Sequence, residues 1–277
     1  MQIIGEKING SSPRIAKAIQ ERNADLIREL ARRQAEAGAN WIDVNAGTPP
    51  SREPDDLVWL VEVAQSAVDV PLSLDSTNPE ALRAALAVVR KTPLINSISG
   101  EPARLERILP LVVEHGCPVV VLAMDERGIP ETVGQRLEAI RKVLSRTRGA
   151  GIPDSRLYID PLVLPVATNP ESAIVVLESI KAIRSEFPEA HITLGLSNIS
   201  FGLPLRTHLN SAFLALAMAA GADSAILDPL DPRVRATLLA TQVLLGQDRH
   251  CLNYIRAVRQ GLLTNPGNPQ AAWKETP

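Results

Sequence analysis

Ile192-Thr193-Leu194-Gly195-Leu196-Ser197-Asn198-Ile199-Ser200 is an apolar run that gives way to glycine, serine and asparagine. Such a run reads as a parallel strand covered on both faces, whose last residues turn into a polar loop where side chains can face a ligand. Asn198 is the residue in it with the most chemical promise, although a serine or asparagine there could equally begin a turn or cap the following helix. The same sentence is written elsewhere in the chain. Ile3-Ile4-Gly5-Glu6-Lys7-Ile8-Asn9-Gly10, Trp41-Ile42-Asp43-Val44-Asn45-Ala46-Gly47, Leu72-Ser73-Leu74-Asp75-Ser76-Thr77, Leu94-Ile95-Asn96-Ser97, Leu157-Tyr158-Ile159-Asp160 and Ala225-Ile226-Leu227-Asp228 all run from apolar to polar.

Between these runs lie stretches with helical spacing. Leu26, Ile27, Leu30 and Ala31 recur at that spacing and Gly38 supplies the stop, so a helix is expected from about Asn23 to Ala37. Leu57, Leu60, Val61 and Ala64 share one face of the next, and Pro79 stands at the first turn of a third. Further helices are expected near Arg104 to Glu114, Glu131 to Arg148, Pro170 to Phe187, Leu209 to Ala220 and Pro232 to Leu245. The fifth strand, Val119-Val120-Val121-Leu122-Ala123-Met124, has no polar residue at all, as a strand buried on both faces should. Eight strand-plus-helix units in about 245 residues match the size of a single-domain α/β fold of the (β/α)8, or TIM, barrel type. A doubly wound sheet would ordinarily use fewer strands, and no glycine-rich phosphate fingerprint follows the first strand. The barrel is expected to span residues 1–262. Residues 263–277, rich in Asn, Pro, Gly and Gln, read as a loose tail.

Composition removes several function classes. The 29 basic and 31 acidic residues nearly cancel, which leaves no electrostatic footprint for nucleic acid or an anionic membrane. No apolar run approaches the roughly 20 residues of a membrane span, and the start lacks a basic region followed by an apolar one. A soluble cytoplasmic protein is expected. Cys117 and Cys251 lie beside apolar segments and suit reduced, buried thiols. The four histidines show no metal-ligand spacing, so no metal site is expected.

In a barrel the C-terminal ends of the strands converge on one mouth. That places Glu6, Asn9, Asp43, Asn45, Asp75, Asn96, Asp160, Asn198 and Asp228 together, with almost no His, Lys or Arg. Carboxylates suit a heterocycle that presents an N–H beside an exocyclic NH₂, and amides suit its ring nitrogens and carbonyls. A reduced pterin fits this inventory. A sugar, or a divalent cation held by carboxylates, would fit it too.

Six of these stretches in this order resemble the methyltetrahydrofolate:corrinoid methyltransferases, relatives of the folate domain of methionine synthase and, more distantly, of dihydropteroate synthase. They are Ile4-Gly5-Glu6-Lys7-Ile8-Asn9-Gly10, Asp43-Val44-Asn45, Leu74-Asp75-Ser76-Thr77-Asn78, Ile95-Asn96-Ser97, Tyr158-Ile159-Asp160-Pro161-Leu162 and Gly195-Leu196-Ser197-Asn198-Ile199-Ser200. The resemblance implies that Asp75, Asn96 and Asp160 hydrogen-bond the pterin and that Asn198 contacts N5, the methyl-bearing nitrogen. On it, Asn198, Asp160 and Asp75 are the catalytic candidates. Glu6, Asn9, Asp43, Asn45, Asn96, Met124, Gly195, Ser197 and Arg206 join them as substrate-binding candidates. The expected reaction moves the N5 methyl of methyltetrahydrofolate to or from a cobalt(I) corrinoid. This chain has neither the Asp-x-His-x-x-Gly corrinoid signature nor a Cys/His cluster, so a separate corrinoid protein, the corrinoid iron–sulfur protein being one candidate, is the expected partner. A homodimer is the expected assembly. A dihydropteroate synthase would need cations for its diphosphate leaving group, and a folate-binding module without catalysis is the alternative from another class.

Overall fold

The computed structural model describes residues 1–263. Eight parallel strands run β1 (Gln2–Asn9), β2 (Trp41–Asn45), β3 (Leu72–Asp75), β4 (Leu94–Gly100), β5 (Val119–Asp125), β6 (Leu157–Asp160), β7 (His191–Ile192) and β8 (Ser224–Leu227). They pair in the order β7-β6-β5-β4-β3-β2-β1-β8. The ends of that order meet. The Ile226 amide donates to the Leu194 carbonyl at 2.9 Å, and the Asp223 amide to the Ile192 carbonyl at 3.3 Å. The sheet is therefore a closed barrel, which leaves no edge for another chain to pair with.

Regular pairing in β7 is shorter than Ile192-Thr193-Leu194 leads one to expect, and Asp223 compensates. It accepts from the Ile192 amide at 2.7 Å, lies 3.0 Å from His191 Nδ1 and 3.2 Å from the Arg184 guanidinium. Burial pushes the Asp223 carboxyl up, but the His191 and Ile192 hydrogen bonds and the charge of Arg184 bring it below the usual carboxylate range. The seam is braced by side chains where backbone pairing is thin.

The helices wrap the outside: α1 (Pro13–Gln20), α2 (Ala24–Glu36), α3 (Glu53–Ala67), α4 (Pro79–Leu86), α5 (Pro102–His115), α6 (Val133–Gly149), α7 (Ser172–Glu186), α8 (Arg206–Ala220), α9 (Pro232–Leu244) and α10 (Leu252–Arg259). Local chemistry sets their ends. Asn23, Asn78 and Asp231 accept amide hydrogen bonds at the starts of α2, α4 and α9, and Thr132 with Gln135 forms a reciprocal cap on α6. α8 stops at Gly221, whose φ of 118° is in the left-handed range that favours glycine. Two helices, α1 and α10, were not expected. Each has only eight residues, yet α1 does carry a signal, Ser12-Pro13 at its start and Ile15, Ala18 and Ile19 at helical spacing.

The larger core fills the layer between sheet and helices. Inside the barrel, Ile4, Leu94, Val120 and Tyr158 form a small cluster of their own. Tyr158 donates to Gln2 Oε1 at 2.7 Å, so its buried hydroxyl is paired near the N-terminal end of the strands. Cys117 is buried as expected, and burial pushes its thiol up to about 11, whereas Cys251 is only half-buried. Among the described residues no helix is long and apolar enough to cross a membrane. Residues 264–277 of the expected tail lie outside the described residues.

Candidate active site

At the first strand, backbone register delivers two consecutive side chains to one place. Gly5 pairs with Ile42 and Ile8 with Val44, so β1 carries one extra residue at Glu6 and Lys7. A bulge of this kind breaks strand alternation, and both Glu6 and Lys7 line the same cavity. The Lys7 amide freed by the bulge donates to Gln34 Oε1 of α2 at 2.9 Å. Glycine at position 5 leaves room for that carboxamide, because a Cβ would lie 2.5 Å from the same oxygen and push it aside. A similar extra residue in β4, between Ile95 and Ile98, accompanies Asn96 at the mouth.

The cavity holds about 600 Å³, within the ordinary range of small-molecule sites. Its inner wall brings together Glu6, Asp43, Asp75, Asn96 and Asp160 from five different strands, and Gly195, Ser197 and Asn198 from the segment after β7. Ser73 donates to Asp43 Oδ1 at 2.7 Å and Asn96 Nδ2 to the same oxygen at 3.5 Å. Burial, then the charge of Asp75, holds the Asp43 carboxyl well above the usual range. Burial also raises Asp75, against a 2.9 Å hydrogen bond from Asn45 and the charge of Arg104. Asp160, 8% exposed, accepts from the Leu162 amide through Oδ1 at 2.7 Å. Burial pushes it up to about 6, even with that bond and the charge of Arg136 opposing. Glu6 is pushed up to about 7 by burial and then by the charge of Asp228. Its Oε2 accepts from Ser197 Oγ at 3.3 Å.

Asn198 lies in a short 3₁₀ turn, Leu196–Ser200. α8 begins eight residues later at Arg206, so its side chain does not cap the next helix. Instead it folds back over Gly195, where a Cβ would come within 2.8 Å of Asn198 Nδ2. The carboxamide is exposed to the cavity rather than committed to secondary structure.

The cavity wall differs from the strand-end pattern in three places. Asn45 does not line the cavity but sits behind it, holding Asp75 in place. Met124, at the end of β5, is not among the residues of this wall. Basic side chains do reach the mouth: Lys7, Arg14 and Arg206 are all in its wall. Lys7 is 2.9 Å from Asp228, and Arg206 donates to Ser200 Oγ at 3.0 Å and to the Ser197 carbonyl at 2.5 Å. Ser11, Ser12, Ile15, Phe201 and Ile226 are further wall residues that the strand-end pattern does not reach. Gly5 was the available signal for Lys7, since glycine inside a strand marks a bulge or a close approach. Among the described residues no group of three or more His, Cys, Asp or Glu is arranged to hold a metal ion.

Four carboxyls with raised affinity for protons, Asp43 and Asp160 buried and Glu6 and Asp75 half-buried, are interleaved with amides and favour a neutral ligand rich in N–H donors over an anion. Fold and site together define a barrel that binds a polar heterocycle at the C-terminal face of its strands. The chain belongs to the family of pterin-binding enzymes, whose model matches residues 5–228. It is 41% identical over 263 residues, 94% of this chain and 97% of the relative, to a methylcorrinoid:tetrahydrofolate methyltransferase of Eubacterium limosum. It is 31% identical over 237 residues to methionine synthase of Mycobacterium tuberculosis, covering 81% of this chain but 20% of that much longer protein. Solved structures of dihydropteroate synthase share the fold. One from Yersinia pestis with a sulfonamide drug gives a TM-score of 0.67 at 19% identity, covering 88% of this chain and 94% of the other. One from Xanthomonas albilineans with 7,8-dihydropteroate gives 0.64 at 20%, covering 90% and 93%.

Proposed function

We propose that this chain moves a methyl group between N5 of tetrahydrofolate and the cobalt of a corrinoid carried by a separate protein. The observation that carries the reading is the near end-to-end match to a methylcorrinoid:tetrahydrofolate methyltransferase. The cavity supports it, because its carboxyls and amides suit a pterin. The corrinoid is a substrate brought by that partner. It supplies a strongly nucleophilic cobalt(I), or in the other direction a methyl bound to cobalt(III).

Asp160 offers its second oxygen to the pterin, with Asp75 and Asn96 completing the contacts to the ring. In transfer away from the folate, the electron pair of the N5–methyl bond returns to nitrogen, and N5 must have gained a proton or a strong hydrogen bond to leave as an amine. In the opposite direction the N5 lone pair takes the methyl, the cobalt–carbon pair stays on the metal, and the N5 proton departs. Asn198 lies beside N5 and steadies the charge that develops there. Glu6, bonded to the Ser197 hydroxyl and able to hold a proton near neutrality, supplies and recovers the proton through water. The diphosphate chemistry of a dihydropteroate synthase would call on free cations beside the pterin, where Lys7 and Arg206 are already engaged; the uncommitted Arg14 lies out at the exposed rim.

A cytoplasmic homodimer, with the corrinoid iron–sulfur protein as one candidate carrier, completes the proposal. The experiment is incubation of the purified chain with methyltetrahydrofolate and free reduced cobalamin. Formation of methylcobalamin and tetrahydrofolate in equal amounts supports the reading, and saturable folate binding without transfer replaces it with a non-catalytic folate module.

A further inference from the structure

The cavity does not end where the pterin contacts end. The same wall continues from Asp160 and Asn96 to Ser11, Ser12 and Arg14, at the junction of β1 and α1. The backbone there is ordered by Asn9, whose Oδ1 accepts from the Ser11 amide at 2.9 Å and whose carbonyl accepts from the Ser12 amide at 3.0 Å. The Ser12 side chain makes no capping hydrogen bond to α1. Of the three basic side chains in the wall, Lys7 is held by Asp228 and Arg206 by Ser197 and Ser200. Arg14 alone of the three, among the described residues, has neither an ion-pair partner nor a hydrogen bond to another side chain, and it is exposed at the rim.

The wall is thus electrically divided. Its inner end is crowded with carboxyls and rejects an anion; its outer end offers an uncommitted guanidinium and two serine hydroxyls. Folate has the matching polarity, with a neutral, donor-rich pterin at one end and a glutamyl dicarboxylate at the other. Phe201, exposed in the same wall, suits the aromatic ring that links them. We propose that Arg14, with Ser11 and Ser12, binds the glutamyl carboxylates of the folate and so selects tail-bearing folates over free reduced pterins. This rests on the folate reading above. Arginine suits the role because its planar fork can meet a carboxylate with two parallel hydrogen bonds.

The test is calorimetric titration of wild type, Arg14→Ala and Arg14→Lys with 5-methyltetrahydrofolate, its triglutamate and the tail-less 5-methyltetrahydropterin, at low and high salt. Wild type should bind the tail-bearing ligands more tightly, with the advantage shrinking in high salt. Arg14→Ala should lose about 3- to 10-fold for the tail-bearing ligands, the scale of one solvent-screened charged contact, and leave the tail-less pterin unchanged. Arg14→Lys should recover part of the loss. Equal weakening of all three ligands, or no weakening of any, overturns the subsite. Wild type that binds none of the three overturns the folate reading itself, which a failure confined to the tail does not.

Discussion

Asp160 has one oxygen engaged by the Leu162 amide and is almost wholly buried, so its other oxygen is the one free to meet a ligand. Replacing the carboxylate with a carboxamide puts a donor opposite pterin donors. Asp160→Asn is therefore expected to weaken folate binding by roughly 1 to 3 kcal/mol, about 5- to 150-fold, with little change in melting temperature. Calorimetry and a melting curve on the same variant check this; unchanged affinity with a lowered melting point would make Asp160 a structural residue. Gly195 is tied to Asn198 in the same way that Gly5 is tied to Gln34. A methyl group at position 195 would occupy space the Asn198 carboxamide now fills, since the contact would be 2.8 Å. Gly195→Ala should accordingly lower turnover more than folate affinity, by moving the amide off N5; equal effects on both, or none, would separate Gly195 from Asn198.

The apolar-to-polar pattern of individual strands was enough to place Asp43, Asp75, Asn96 and Asp160 at one end of the barrel, because parallel strands all deliver their C-terminal residues to the same face. What the pattern could not show lies in breaks of alternation and in short helices. Lys7 reaches the cavity through the β1 bulge, and Arg14 through α1, a helix that a pattern of strand ends does not cover. Asn45 differs from the pattern in the converse way. It sits two residues beyond Asp43 on β2, as a mouth residue should, yet its side chain turns sideways to Asp75. The β1 bulge makes a prediction of its own. In Gly5→Ala the new methyl must displace the Gln34 carboxamide, leaving the buried Lys7 amide without its acceptor. A loss of about 1 to 3 kcal/mol in urea unfolding is expected, whereas a change under about 0.5 kcal/mol would mean that the bulge does not depend on Gln34.

Across the whole molecule, the site conflicts with stability at higher pH. Glu6, Asp43, Asp75 and Asp160 all hold protons more tightly when folded than when unfolded. A carboxyl whose folded value is raised binds more protons in the native state, so stability falls as pH rises between its unfolded and folded values. For Glu6 that window runs from 4.5 to about 7, and for Asp160 from 3.8 to about 6. The ligand-free protein is expected to lose stability on going from pH 5 to pH 7, and Glu6→Gln, which stays neutral throughout, to lose less of it. Chemical denaturation of both proteins across that range checks the difference; parallel curves would show that Glu6 is solvated rather than buried.

The most direct test of the central claim, that a folate bound at the barrel mouth exchanges its N5 methyl with cobalt beside Asn198, is a single-turnover measurement. Enzyme is mixed in excess with methyltetrahydrofolate and reduced cobalamin, methylcobalamin is followed by its absorbance, and folate affinity is measured on the same preparations. The account predicts transfer by wild type, and for Asn198→Ala a rate lower by roughly 10- to 1000-fold with affinity changed far less, as expected for a contact that strengthens in the transition state. Transfer by Asn198→Ala at the wild-type rate, or no transfer by wild type despite bound folate, would contradict it.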